Sequence, residues 1–276
     1  MLRCFYQSGT TGEIIDFTKL PFKMVRSDDL FNYEWSYSTG KSNQNIAKTY
    51  RKKLPSKKVK LTVSAKSAGE CVEALNYLMS VLDTDVINNT SGRLYINDTY
   101  IKCFFMSCTK AVYRQKANFF VKDFEIILES YWMKETVYSF EAQTLSLSNT
   151  KKYAYKYPYR YSTSAGENYI ENNHYTDCNF KLKIYGPCVN PHIIIGTHRY
   201  QVWTILTEGE RLEIDSIRNK VYKVMVNGTK VSLFNERDKQ SRVFDKIPPG
   251  RQRVAAPGTF NFDLTLYEER SEPQWS

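Results

Sequence analysis

SAGECVEALNYLMSVLDTD, residues 67–85, is the one stretch of this chain that reads as a long helix, and the fold is worked out from it. Ser67 and Glu70 stand at capping-box spacing, and Cys71, Ala74, Leu75, Leu78, Met79 and Leu82 then recur on one face at the helical period. Nearly everything around it reads as strand. Upstream, KKVKLTVSAK alternates through Val59, Leu61 and Val63. Downstream, GRLYINDTYIKCFFMS has a tight turn at Asn97 and Asp98 between two β-rich arms, and FFVKDFEIILESYWM sets Phe124, Ile126 and Leu128 on one side. A single amphipathic helix among strands predicts an α+β unit, placed at residues 1–140.

From Thr136 onward no helical period survives, and short strands follow turn residues to the end. In NKVYKVMVNGTKVSLF, Asn227 and Gly228 predict a type I′ turn that pairs Tyr222, Val224 and Val226 with Leu233, Val231 and Thr229. The chain closes on FNFDLTLYEERSEPQWS. Phe260, Phe262, Leu264 and Leu266 alternate with Asn261, Asp263 and Thr265, so one face of this last strand belongs to a core. The charged run and Trp275 after it are expected to cap the rim of that core or to meet a neighbour. These signals predict a β-sandwich over 176–276, with 141–175 as a tyrosine-rich connector or insertion. The whole chain is expected to be mainly β.

At 276 residues the chain is long for one core, which supports two units. A 42% hydrophobic share with 25% charged residues is a globular balance, and the 21 tyrosines suit strand faces and interfaces, where one end is dry and one wet. The net charge of +10 admits nucleic acid, an anionic surface or an acidic protein partner without choosing among them. No segment has the unbroken apolar length that crosses a bilayer, and MLRCFYQSGTTGEIIDF lacks the apolar centre of a signal peptide. The expectation is a soluble protein made in the cytoplasm, with no membrane anchor. Cys4, Cys71, Cys103, Cys108, Cys178 and Cys188 are scattered, as reduced and mostly buried thiols are. Without export, the N-x-T matches at Asn88, Asn97 and Asn227 carry no glycosylation.

Candidate binding chemistry is sparse. KKYAYKYPYRYS sets Tyr153, Tyr155, Tyr157, Tyr159 and Tyr161 at period two, with Lys156 and Arg160 between them and Pro158 inside. In an extended chain these rings face one way, as an aromatic platform with cationic flanks; packing against a junction or a neighbouring subunit explains them as well. His174 with Cys178, and Cys188 with His192, have spacings that zinc could use. NFKLKIYG between the pairs reads as a strand of roughly 26 Å, far longer than one coordination sphere, so the cysteines are expected to be ordinary. No nucleophile elbow, zincin helix, P-loop or calcium loop is found. No catalytic residue, metal or cofactor is expected.

The C-terminal half resembles the siphovirus-type distal tail proteins of phages and prophages of Gram-positive bacteria. IYGPCVNPHIIIGTHRYQV, GERLEIDSIRNKV, NGTKVSLFNERDKQSRVFDKIPPGRQRV and GTFNFDLTLYEERSEPQW carry the resemblance, above all the closing E-R-S-E-P-x-W pattern from Glu269 to Trp275. DFTKLPFKMVRSDDLFNYEWSY and the helix followed by GRLYINDTYIKC resemble the same family more loosely, and residues 140–175 match it least. The resemblance implies an N-terminal belt domain that closes a hexameric ring and a C-terminal galectin-like β-sandwich. It implies a structural hub, not an enzyme, joining the tail tube protein to the tail-tip or baseplate hub protein. The tape measure protein would be a neighbour, and genome DNA would meet it only in passage. The place would be the virion tail tip, and the host cytoplasm during assembly. Two other functions stand beside this one: a carbohydrate-binding tail module contacting the host surface, with Trp203, Trp275 or the tyrosine stripe as platforms, and a nucleic-acid-binding protein. Tyr153, Tyr155, Tyr157, Tyr159, Arg160, Tyr161 and Trp275 are the candidate interaction surface.

Overall fold

The structure, a computed structural model, describes residues 3–26, 29–39, 47–54, 56–112, 118–142 and 168–274. Among these residues it is mainly antiparallel β with one α-helix. The chain divides into two compact units, Met1–Lys134 together with Glu269–Ser276, and Glu135–Glu268.

In the first unit the helix runs Ala68–Ile87, and the Ser67 hydroxyl caps it by accepting the Glu70 N–H at 3.2 Å. That bond satisfies one of the amide donors left free in a first turn, and such caps stabilise by about 1 kcal/mol. The face turned inward carries Cys71, Leu78, Val81, Leu82 and, less expectedly, Asp85. Ala74, Leu75 and Met79 pack at its margin. Against the helix lies an antiparallel sheet in the order Phe22–Arg26, Lys57–Ser64, Phe119–Leu128, Thr99–Val112, Gly92–Ile96, Cys4–Gln7, Ile14–Asp16. The first and last strands of that order follow one another in the chain, and the Met24 N–H reaches the Phe17 carbonyl at 2.9 Å. The sheet must therefore curve around its core. The long strand Thr99–Val112 supplies part of the bend. It leaves Gly92–Ile96 through a tight turn in which Asn97 sits at φ +52°, and its register with Phe119–Leu128 shifts twice, each shift a local kink. Leu61, Val63, Leu94, Ile96, Cys103 and Ile126 are fully buried inside, and each large apolar side chain so buried stabilises by roughly 1.5–3 kcal/mol.

The second unit is a sandwich. One layer runs Lys230–Ser232, Lys220–Val224, Arg211–Asp215, Asn179–Tyr185, Phe262–Arg270; the other is a four-stranded sheet in the order Asn168–Asn172, Gly250–Ala255, His192–Ile195, His198–Gln201. Phe180, Leu182, Ile184, Leu212, Ile214 and Val221 from the first layer share one core with Ile170, Ile193, Ile195, Tyr200 and Val254 from the second. The last strand behaves as its alternation predicts: Phe260, Phe262, Leu264 and Leu266 are all buried. It pairs with Asn179–Tyr185, Leu264 opposite Leu182, and Phe262 stacks on Phe140 at 4.5 Å. The residues that follow it, expected at the sandwich rim or a neighbour, group with the first unit, where the Lys134 amine reaches Gln274 at 3.4 Å.

The hairpin at Asn227 differs from expectation by one residue. Tyr222 lies opposite Ser232, Lys223 opposite Val231 and Val224 opposite Lys230. The Gly228 N–H donates to the Met225 carbonyl at 2.9 Å, the Met225 N–H donates to Thr229 at 2.9 Å, and Gly228 alone takes a positive φ, +82°. This is a type I turn followed by a glycine bulge, a three-residue loop in place of the two-residue type I′ turn. The extra residue moves the pairing with Lys230–Ser232 by one position, and along Lys220–Val224 the buried residues are Val221 and Val224.

Candidate functional site

Tyr153, Tyr155, Tyr157, Tyr159, Arg160, Tyr161 and Trp275, the surface singled out in the sequence, lie outside the described residues. The zinc spacings fall on residues that are described. Cys178 donates its thiol to the Asn172 side-chain oxygen at 3.1 Å, and His174 Nδ1 lies 2.9 Å from the Thr176 hydroxyl. The strand Asn179–Tyr185 then carries the chain away toward Cys188, as read. Among the described residues no three His, Cys, Asp or Glu side chains gather as a metal site. Burial pushes the thiols of Cys71 and Cys188 up, and that of Cys4 up to about 12, so these groups stay protonated and unreactive near neutrality.

Two surfaces of the described residues present unusual chemistry. The first is a two-stranded ribbon, Trp35–Thr39 paired with Ala47–Lys52, which forms a sheet of its own. Trp35 faces Lys52 and Tyr37 faces Tyr50 across it, so strand alternation sets these four side chains on one side. Tyr37 and Tyr50 are 67% and 62% exposed. At the base, the Lys52 amine sits 4.3 Å from the centre of the Tyr131 ring and 5.6 Å from that of Trp35, a cation held between aromatic faces. Burial lowers its pKa, against the attraction of Glu269. The Tyr131 hydroxyl fixes the base of the ribbon by donating to the Lys52 carbonyl at 3.1 Å. A two-stranded ribbon this short has little stability of its own and gains by being packed against other surface.

The second surface is an open groove of about 610 Å³ in the other unit, lined by Arg199, Gln201, Trp203, Asn235, Asp238 and Lys239 among others. One wall is the edge strand His198–Gln201; the other is the segment around the 3₁₀ turn Phe234–Glu236. The segment is tied to the edge by the Trp203 N–H to Glu236 at 2.8 Å and the Asp238 N–H to the Gln201 carbonyl at 3.1 Å. Trp203 is thus fixed at its backbone while its ring stands 49% exposed. Gln201 is buried at the edge, and its side-chain oxygen has no hydrogen-bond partner among the described residues. The Gln240 N–H, opposed by burial and aided by the Ser241 hydroxyl, holds the Asp238 carboxyl below the usual range. The galectin-like reading pointed to Trp203, but nothing in the sequence brought residues 235–240 beside it. Only the pairing across the edge strand does so.

No protein-family profile matches the chain, and no curated protein matches it. Solved structures do. A chain of the phage P2 baseplate, in its activated conformation with Ca, superposes with a TM-score of 0.66 at 12% identity, covering 99% of this chain and 100% of that one. The phage p2 baseplate in its activated conformation with Sr gives 0.65 at 13% identity, with coverage of 99% and 100%. The crystal structure of SPP1 Dit (gp 19.1), described as a paradigm of the hub adsorption apparatus in Gram-positive infecting phages, gives 0.56 at 10% identity, with coverage of 98% and 99%. Likeness at such identities is likeness of fold.

Proposed function

We propose that this chain is a structural distal tail protein of a phage or prophage, a ring hub that joins the tail tube to the tail tip or baseplate. One observation carries the proposal: the likeness to a baseplate chain and to an adsorption-apparatus hub runs the full length of both partners, at 99% and 100% and at 98% and 99%. A sandwich alone recurs in many unrelated proteins; the curved sheet with its one helix and the sandwich together in one chain are a far narrower pattern. On this reading the first unit is the belt that closes a hexamer, the second is a galectin-like sandwich, and the partners are the tube protein, the tail-tip or baseplate hub protein and the tape measure protein. The protein resides in the virion after assembly in the host cytoplasm. The exposed aromatic side of the ribbon Trp35–Lys52 supports self-association, because closure of a ring covers such faces and free strand edges.

Native mass spectrometry and negative-stain images of the purified chain, alone and with tail tube protein, test the proposal. Closed rings are expected. Monomers across a wide concentration range in both preparations would overturn it.

A further inference from the structure

We infer that the groove beside Trp203 is a saccharide-binding site. Its parts are those a sugar ring requires. A pyranose offers a flat apolar C–H face and a rim of hydroxyls, so its site pairs an aromatic plane with donors and acceptors set around the edge. Trp203 supplies the plane, 49% exposed on a backbone anchored to Glu236 at 2.8 Å. Arg199 and Lys239 supply donors, Asp238 and Asn235 acceptors, all from the same groove. Gln201 lines the same groove, and its buried side-chain oxygen has no hydrogen-bond partner among the described residues.

The mixed lining argues against the alternatives. Carboxylates of Glu236 and Asp238 interrupt the cations, which disfavours a polyanion. A single aromatic ring among polar groups is too little apolar surface for a hydrophobic peptide face. The groove volume of about 610 Å³ accommodates a short oligosaccharide. The inference is independent of the ring proposal, since it concerns one chain and its test needs no tail proteins.

The test passes the purified full-length chain over an immobilised panel of neutral oligosaccharides ending in glucose, galactose, N-acetylglucosamine or rhamnose. The best-retained one is then titrated by tryptophan fluorescence. Saturable binding is expected, weakened at least tenfold by Trp203→Ala, less by Trp203→Phe because a ring remains, and measurably by Arg199→Ala. Circular dichroism and melting temperature of each variant separate lost binding from lost folding. If Trp203→Ala proves misfolded, the Phe and Arg199 variants decide. Overturning results are a wild-type chain that retains no saccharide of the panel, affinity unchanged in the folded variants, or preference for a proline-rich peptide over every saccharide.

Discussion

The Tyr6 hydroxyl donates a 2.7 Å hydrogen bond to Oδ2 of Asp85, joining the first strand to the last turn of the helix across 79 positions of sequence. The same carboxylate accepts from the Ser8 hydroxyl at 2.7 Å and from the N–H groups of Thr10 and Gly9 at 2.9 and 3.2 Å. Asp85 is 1% exposed, and these four donors replace the water it has lost. Burial, reinforced by the bond to Asp85, pushes the Tyr6 hydroxyl far above its ordinary pKa, so it remains a donor at any working pH. Gly92 leaves the room for that ring; a Cβ there would lie 2.0 Å from the Tyr6 oxygen.

Asp85→Ala removes the shared acceptor and strands buried donors, each costing about 1–3 kcal/mol when unpaired. The first unit should lose on the order of 3 kcal/mol or more in urea denaturation, with Asp85→Asn losing less because one oxygen remains. A loss under about 1 kcal/mol for the alanine variant would show that water takes over the network.

At the bulged hairpin the two turn residues should respond unequally. Gly228→Ala forces a side chain into φ +82°, with open space around it, and should cost about 1 kcal/mol from backbone strain alone. Asn227 has ordinary backbone angles and gives up only its bond to the Thr229 N–H at 3.0 Å, so Asn227→Ala should cost less. Equal losses in the two melting temperatures would contradict the bulge.

The sandwich should weaken in acid. Burial works to raise the pKa of Glu213, but Arg211 at 2.8 Å and Lys181 at 3.3 Å outweigh it and hold the group below 4.5; Lys223 at 2.7 Å and the Thr207 N–H hold Glu210 below 4.5 too. Folding thus favours the charged carboxylates. Their contribution is full above pH 4.5 and is lost as pH falls through the lowered folded values. His192, lowered from 6.5 chiefly by burial, adds an earlier loss as pH falls below 6.5. Lys223→Met isolates the first effect: its urea midpoint should fall below wild type at pH 7, and the gap should narrow below pH 4. A gap that stays constant would sink the assignment.

Tyr37→Ser combined with Tyr50→Ser strips the exposed pair from the ribbon. Exposed substitutions away from the core usually change stability by about 0.5 kcal/mol or less, so the melting temperature should hold. Native mass spectra should then shift from the proposed ring to smaller species. Rings formed as readily as in wild type would remove the ribbon from the interface.

How far the sequence could be read depended on whether local pattern or distant contact decided each feature. The helix was legible because Ser67, Glu70 and the apolar period all lie within it. So was the last strand, whose alternation reports a core on one face. Asp85 was missed because an acidic residue near a helix end reads as solvated. Its place three positions after Leu82 and four after Val81, on the buried face, was the available signal. The hairpin register slipped because Asn-Gly serves two-residue and three-residue loops alike, and only the hydrogen bonds tell them apart. The Trp203 groove was half legible, since an exposed tryptophan can be suspected but its companions come from a separate segment.

The first unit is discontinuous in sequence, interrupted by all of Glu135–Glu268 and resumed at Glu269. An expression boundary drawn at residue 135 would therefore cut the first unit short, since a fragment stopping there loses Glu269 onward and with it the Gln274 partner of the Lys134 amine. Residues 135–268 make a continuous segment that holds the sandwich strands up to Glu268.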